Sequence, residues 1–146
     1  MKDLIEPRIL NATRKLLTER VNEVLRDSEY SIPNIEFGDY MGEYAVAPVI
    51  LLSACERTEK ERIVRVDAYL MTIAFSLPDV PESELYCYAY SGAIGRAFYN
   101  DPTLGGVVDR AVITGKKYVQ PKKPNCGEGW ELQISLRVTI ETVGGE

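Results

Sequence analysis

The chain has 146 residues, with 17 basic and 22 acidic side chains, no histidine and three cysteines. Its length and 45% hydrophobic content suit a single domain over 1–146 that buries roughly 70% of its unfolded surface, with no need of a disulfide or metal. The missing histidine excludes Ser-His-Asp and Cys-His catalysis and any imidazole base, while Cys55, Cys87 and Cys126 lack the paired spacing of a zinc site.

In chain order, residues 3–27 read as an amphipathic helix. Leu10, Leu17 and Val24 recur every seven residues, flanked by Leu16, Val21 and Leu25. Asp3 and Glu6 have the spacing of a capping box, and Pro7 fits the first turn. Residues 28–44 are punctuated by Pro33, Gly38 and Gly42, with Tyr30, Phe37, Tyr40 and Tyr44 predicted to pack on the core and a short strand at 35–37. Residues 45–56 predict a buried strand, with Pro48 placing its start at an edge or bulge. That apolar run is far short of the roughly 20 residues a membrane span needs, and no signal peptide opens the sequence. Residues 57–61 predict a charged hairpin tip, and residues 62–76 the returning strand.

A second helix is predicted over 82–100, capped by Ser83 or Asp79. Its apolar stripe is Leu85, Ala89, Ala93 and Ala97, with Tyr90, Ile94 and Phe98 alongside. Gly92 and Gly95 predict close packing there, since each otherwise costs about 1 kcal/mol relative to Ala. Residues 100–106 turn the chain, residues 107–120 form a third strand, and residues 121–129 form a loop. Residues 130–142 alternate cleanly, with Leu132, Ile134, Leu136, Val138 and Ile140 on one side. The expected fold is α+β: a mainly antiparallel sheet of four to five strands with two helices packed on one face, in helix–hairpin–helix–hairpin order. Cys55 and Cys87 fall in apolar segments and are expected to pack as small hydrophobes.

Charge is segregated along the chain. Residues 77–109 carry five acids against Arg96, whereas residues 110–127 carry Arg110, Lys116, Lys117, Lys122 and Lys123 with no acid. Such a split gives a head-to-tail contact between copies an electrostatic basis. Carboxylates form no recognisable catalytic pair. Asp101 and Asp109 flank a Gly-Gly turn, where a metal-binding role competes with a helix stop and strand start, and the second reading is preferred. Residues 91–95, Ser-Gly-Ala-Ile-Gly, lack the ending of a phosphate loop. No enzyme activity, catalytic residue, metal or cofactor is therefore expected.

The helix over 82–100, the turn Asp101-Pro-Thr-Leu-Gly-Gly-Val-Val108 and the strand Trp130-Glu-Leu-Gln-Ile-Ser-Leu-Arg-Val138 resemble the second half of tail terminator (tail completion) proteins of tailed bacteriophages and prophages. The Asp-x-Thr-Leu-Gly-Gly turn is the most specific element, and the layout matches over roughly residues 4–142. The resemblance implies a ring, usually hexameric, that caps the tail tube, ends its polymerisation and presents a surface for head attachment. It implies as partners further copies of the chain, the tail tube protein and a head-completion or neck protein, with no membrane, and nucleic acid only through the ring lumen. It places the protein in the virion tail after assembly in the bacterial cytoplasm. The expected contact residues are Arg57, Lys60, Arg62, Lys116, Lys117, Lys122, Lys123, Glu131 and Arg137. Competing readings are another head–tail connector, a small host module binding a ligand or RNA through the basic stretch, and an enzyme using Asp101, Asp109 and a metal.

Overall fold

The computed structural model describes residues 4–26, 35–37, 44–46, 48–61, 64–77, 81–122 and 129–143. The elements are α1 (Ile5–Arg26), β1 (Ile35–Phe37), β2 (Tyr44–Val46), β3 (Val49–Glu61), β4 (Val64–Ser76), α2 (Ser83–Asn100), β5 (Arg110–Val119) and β6 (Glu131–Val143). The fold is α+β, with a four-stranded antiparallel sheet ordered β3-β4-β6-β5 and a separate parallel pair, β1-β2. Asp3, Tyr30, Tyr40, Asp79 and Cys126 lie outside the described residues, as do the side chains of Phe37 and Tyr44.

α1 buries Ile9, Thr13, Leu16, Leu17, Val21 and Leu25, while Leu10 and Val24 are only half-buried. The stripe follows the true helical period of 3.6, so a seven-residue repeat drifts off the core face within three turns. Thr13 is fully buried because its hydroxyl donates back to the Ile9 carbonyl at 2.8 Å and lies 3.7 Å from Met71 Sδ. Glu6 accepts a 2.6 Å hydrogen bond from the Tyr69 hydroxyl, tying the first turn of α1 to β4. That bond and burial push the Tyr69 phenol upward from its usual range.

The register shows why one sheet face is core. Tyr69, Met71, Ile73 and Phe75 of β4 stand opposite Val138, Leu136, Ile134 and Leu132 of β6, and all eight are buried. They share one apolar cluster with Ile9, Leu17 and Val21 of α1 and Cys87, Tyr90, Ile94 and Phe98 of α2. Phe75 meets Tyr90 edge-on, with ring centroids 5.5 Å apart. Burial pushes the Cys87 thiol up to about 11, so this cysteine is a packing residue, as expected.

Several expectations change at the periphery. β3 is an edge strand rather than a buried one: Ile50 is buried, but Val49 and Leu51 are 55% and 59% exposed. Cys55 on the same strand is exposed, contrary to its predicted packing role. Residues 57–61 continue β3 instead of forming a hairpin tip, because the ladder to β4 pairs Arg57 with Asp67, Thr58 with Val66 and Glu59 with Arg65. Residues 62 and 63, between the strands, lie outside the described residues.

α2 begins at Ser83 with Glu82 as its N-cap and no capping side-chain hydrogen bond. Ser83 is buried, and its hydroxyl accepts a 3.0 Å hydrogen bond from the Trp130 backbone N–H. Leu85 is exposed rather than part of the buried stripe, while Ala93, Ala97, Tyr90, Ile94 and Phe98 are buried as expected. Close packing does not explain the glycines. A Cβ on Gly92 would meet nothing within 4 Å, and one on Gly95 would meet only Lys116 Nζ at 3.5 Å.

Candidate interaction surface

The surface is built by strand alternation on the two outer strands and on the solvent side of β4 and β6. On that side, Ala54, Leu70, Arg137 and Val112 form one row across all four strands. Leu51, Thr72, Ser135 and Gly115 form a neighbouring row. Leu51, Leu70 and Val112 are exposed apolar side chains among these polar ones. Leu70 and Val112 are 42% and 39% exposed, which leaves a mixed apolar and polar face.

The expected contact residues distribute as follows. Arg137 and Glu131 lie on this open face, Arg137 Nη1 standing 3.9 Å from a Glu56 oxygen. Glu131 accepts a 2.7 Å hydrogen bond from Gln133 Nε2. Lys117 is opposite Gln133 and belongs to the same face. Lys116 alternates to the other face, where its Nζ donates to the Ser91 carbonyl of α2 at 3.2 Å. The two lysines therefore do not form one basic patch.

Arg57 lies on the core-side face of the β3–β4 hairpin. Its Nε donates to Asp67 Oδ1 at 2.7 Å and its Nη2 to Oδ2 at 3.2 Å. Asp67 is thereby held below the usual carboxylate range, chiefly by this hydrogen bond, and the guanidinium pKa is raised in turn. Lys122 is exposed just beyond β5, whereas Arg62, Lys123 and the side chain of Lys60 lie outside what is described.

The Asp101 and Asp109 carboxylates serve the backbone. Asp101 Oδ1 accepts from the Gly105 N–H at 3.1 Å and from the Thr103 hydroxyl at 3.4 Å. Gly105 and Gly106 take φ of 70° and 92°, and Leu104 is held at φ 52° with its side chain buried. Asp109 Oδ2 accepts the Glu141 backbone N–H, so it meets β6 just before β5 begins. Among the described residues no group of three acidic or cysteine side chains is placed to hold a metal.

Ser91 Oγ lies 2.9 Å from the Tyr118 hydroxyl, and Tyr88 meets Tyr118 edge-on at 5.2 Å. Lys116 addresses the Ser91 carbonyl rather than its hydroxyl, so the cluster anchors α2 to β5.

Sequence reasoning missed the exposed apolar residues. The buried face cannot be told from alternation alone, so Leu51 falls in a segment that reads as buried, and Leu70 and Val112 carry no signal. It also missed a groove of about 480 Å³ between the end of α2 and β5, lined by Phe98, Tyr99, Pro102, Ala111 and Ile113 among others. Tyr99 beside it is 85% exposed. A smaller hollow of about 340 Å³ lies between the helices, where Arg20, Glu23 and Arg96 mix both charges. No protein-family model matches the chain, and no curated protein matches it either.

Proposed function

We propose that this chain is a phage or prophage structural protein that assembles into a ring, hexameric in the tail terminator manner, capping the tail tube and ending its growth. The observation that carries the reading is the sheet face left uncovered among the described residues, where Leu51, Leu70 and Val112 are exposed between polar side chains. An apolar and polar mixture of this kind is the usual composition of a protein contact surface. The Asp101–Gly106 turn that carries the family resemblance adds to it, being held by a carboxylate and two left-handed glycines.

On this reading the partners are further copies of the chain, the tail tube protein and a head-completion or neck protein, and the protein resides in the virion tail after assembly in the bacterial cytoplasm. DNA is met only in passing through the lumen. An RNA-binding module is disfavoured because Lys116 and Lys117 face opposite sides of the sheet, and a phosphate-binding footprint needs adjacent cations.

Light scattering over a concentration series at low and high salt tests assembly, and capture by immobilised tail tubes tests the partner. A species near six protomers that binds tubes is the expected result. A chain that stays monomeric with and without tubes overturns the proposal. Capture by portal-proximal proteins alone replaces it with a neck connector.

A further inference from the structure

We infer that copies of this chain join by strand addition, the free edge of β3 in one copy pairing antiparallel with the free edge of β5 in the next. This deepens the ring reading and rests on it. Three observations carry it: strand direction, the location of the uninterrupted edge segments, and their charge.

The four strands alternate in direction across β3-β4-β6-β5, so the two outer strands run oppositely. A neighbour in the same orientation therefore presents β3 antiparallel to β5, and the alternation continues through the contact. Among the described residues, β3 pairs only with β4 and β5 only with β6, which leaves one side of each with unused main-chain groups.

Neither edge is free along its whole length. β3 has bulges between Leu52 and Ala54 and between Glu59 and Glu61, and β5 has one between Ile113 and Gly115. The start of β5 is also covered, since the Ala111 N–H donates to the Pro102 carbonyl at 2.7 Å. The longest regular stretch left on β3 is residues 54–59, and on β5 it is residues 115–119. The first carries exposed Glu56 and Glu59 and an Arg57 already bridged to Asp67, the second exposed Lys116 and Lys117. The segments geometrically able to pair are thus opposite in net charge, whereas two copies of the β5 segment would place like charges together. That selects a head-to-tail contact over a two-fold one.

Cross-linking tests the assignment with the native Cys55, which lies exposed in the β3 stretch. Lys116→Cys, which projects from the same side of the sheet as Cys55, is introduced in a Cys126→Ser background and treated with a short bismaleimide. Within one chain the two sites sit on opposite edges, three strand spacings or roughly 14 Å apart across the sheet before their offset along it is added. Linkage within a chain is therefore out of reach. The expected product is a ladder extending past dimer, while neither parent with a single exposed cysteine (Cys55, or Lys116→Cys with Cys55→Ser, Cys87 being buried in both) forms dimers. Lys117→Glu should raise the assembly midpoint at least tenfold, and adding Glu56→Lys, on the same open face, in the same chain should restore it. A multimer by light scattering that gives no ladder overturns the edge assignment and leaves the ring reading standing. Dimers from either parent overturn it in favour of a two-fold contact. A monomer under all conditions, including added tail tubes, overturns both.

Discussion

Gly92 lies inside α2 with open space where a Cβ would stand, and its backbone is helical. Gly92→Ala should raise stability by about 0.5–1 kcal/mol, chiefly by restricting the unfolded chain. Gly106 gives the contrary case, because its φ of 92° is strained for any side chain although a Cβ there meets nothing. Gly106→Ala should cost about 1–2 kcal/mol. Urea midpoints of the two variants should move in opposite directions. Asp67 allows a test by pH. Its folded-state carboxyl is held below the unfolded value by Arg57, so the pair adds stability above an unfolded carboxylate pKa of about 3.9. The contribution is lost as pH falls through the lower folded value. The Tm of Asp67→Asn should therefore lie below that of the wild type at pH 7, and the gap should close on acidification towards pH 2. A gap that persists at low pH would mean that the Asn disturbs the hairpin for a reason other than charge.

At the scale of elements, the strongest sequence patterns survive folding. β6 alternates because one of its faces joins the apolar cluster shared with α1 and α2, and Leu132, Ile134, Leu136 and Val138 are buried as their spacing dictates. α2 was legible from Ala93, Ala97 and their aromatic neighbours. β3 misled for a physical reason: a continuous apolar run is the mark of a strand covered on both faces, yet Val49 and Leu51 stand on a face that nothing in the described chain covers. The charged residues 57–61 misled in the opposite sense, because the Arg57–Asp67 bridge lets a polar segment keep its place in the ladder. Ser83 shows how a cap signal can serve tertiary structure. Its hydroxyl meets the Trp130 N–H, joining the start of α2 to the start of β6. Ser83→Ala leaves that half-buried amide without its acceptor and should cost about 0.5–1.5 kcal/mol. The sole tryptophan reports the change, so a shift in Trp130 emission should accompany the lower urea midpoint. Loss of stability with unchanged emission would place the effect elsewhere in α2.

For the whole molecule, the candidate surface was legible only in part. Arg137 and Glu131 fall on the open face because β6 alternates without interruption. Lys116 and Lys117 looked like one patch because adjacency in sequence suggests adjacency in space, whereas a strand sends neighbours to opposite faces. The exposed apolar residues had no sequence signal, since only the placement of both helices decides which alternate residues are left uncovered. Leu70 is the most informative of them. It stands centrally in a row between Ala54 and Arg137, is partly exposed, and is absent from the apolar core cluster. Leu70→Lys removes apolar surface from the open face and adds a cation beside Arg137 without opening a cavity. If the face is solvated in the working protein, the substitution should be silent in both Tm and mass. If it forms part of an assembly or tube contact, Tm should stay within about 3 °C of the wild type, a shift corresponding to at most roughly 1 kcal/mol, while the multimer dissociates or tube capture is lost. The two readouts separate the alternatives when Tm is read on dilute, dissociated chain, where a folding defect lowers it and a contact defect does not.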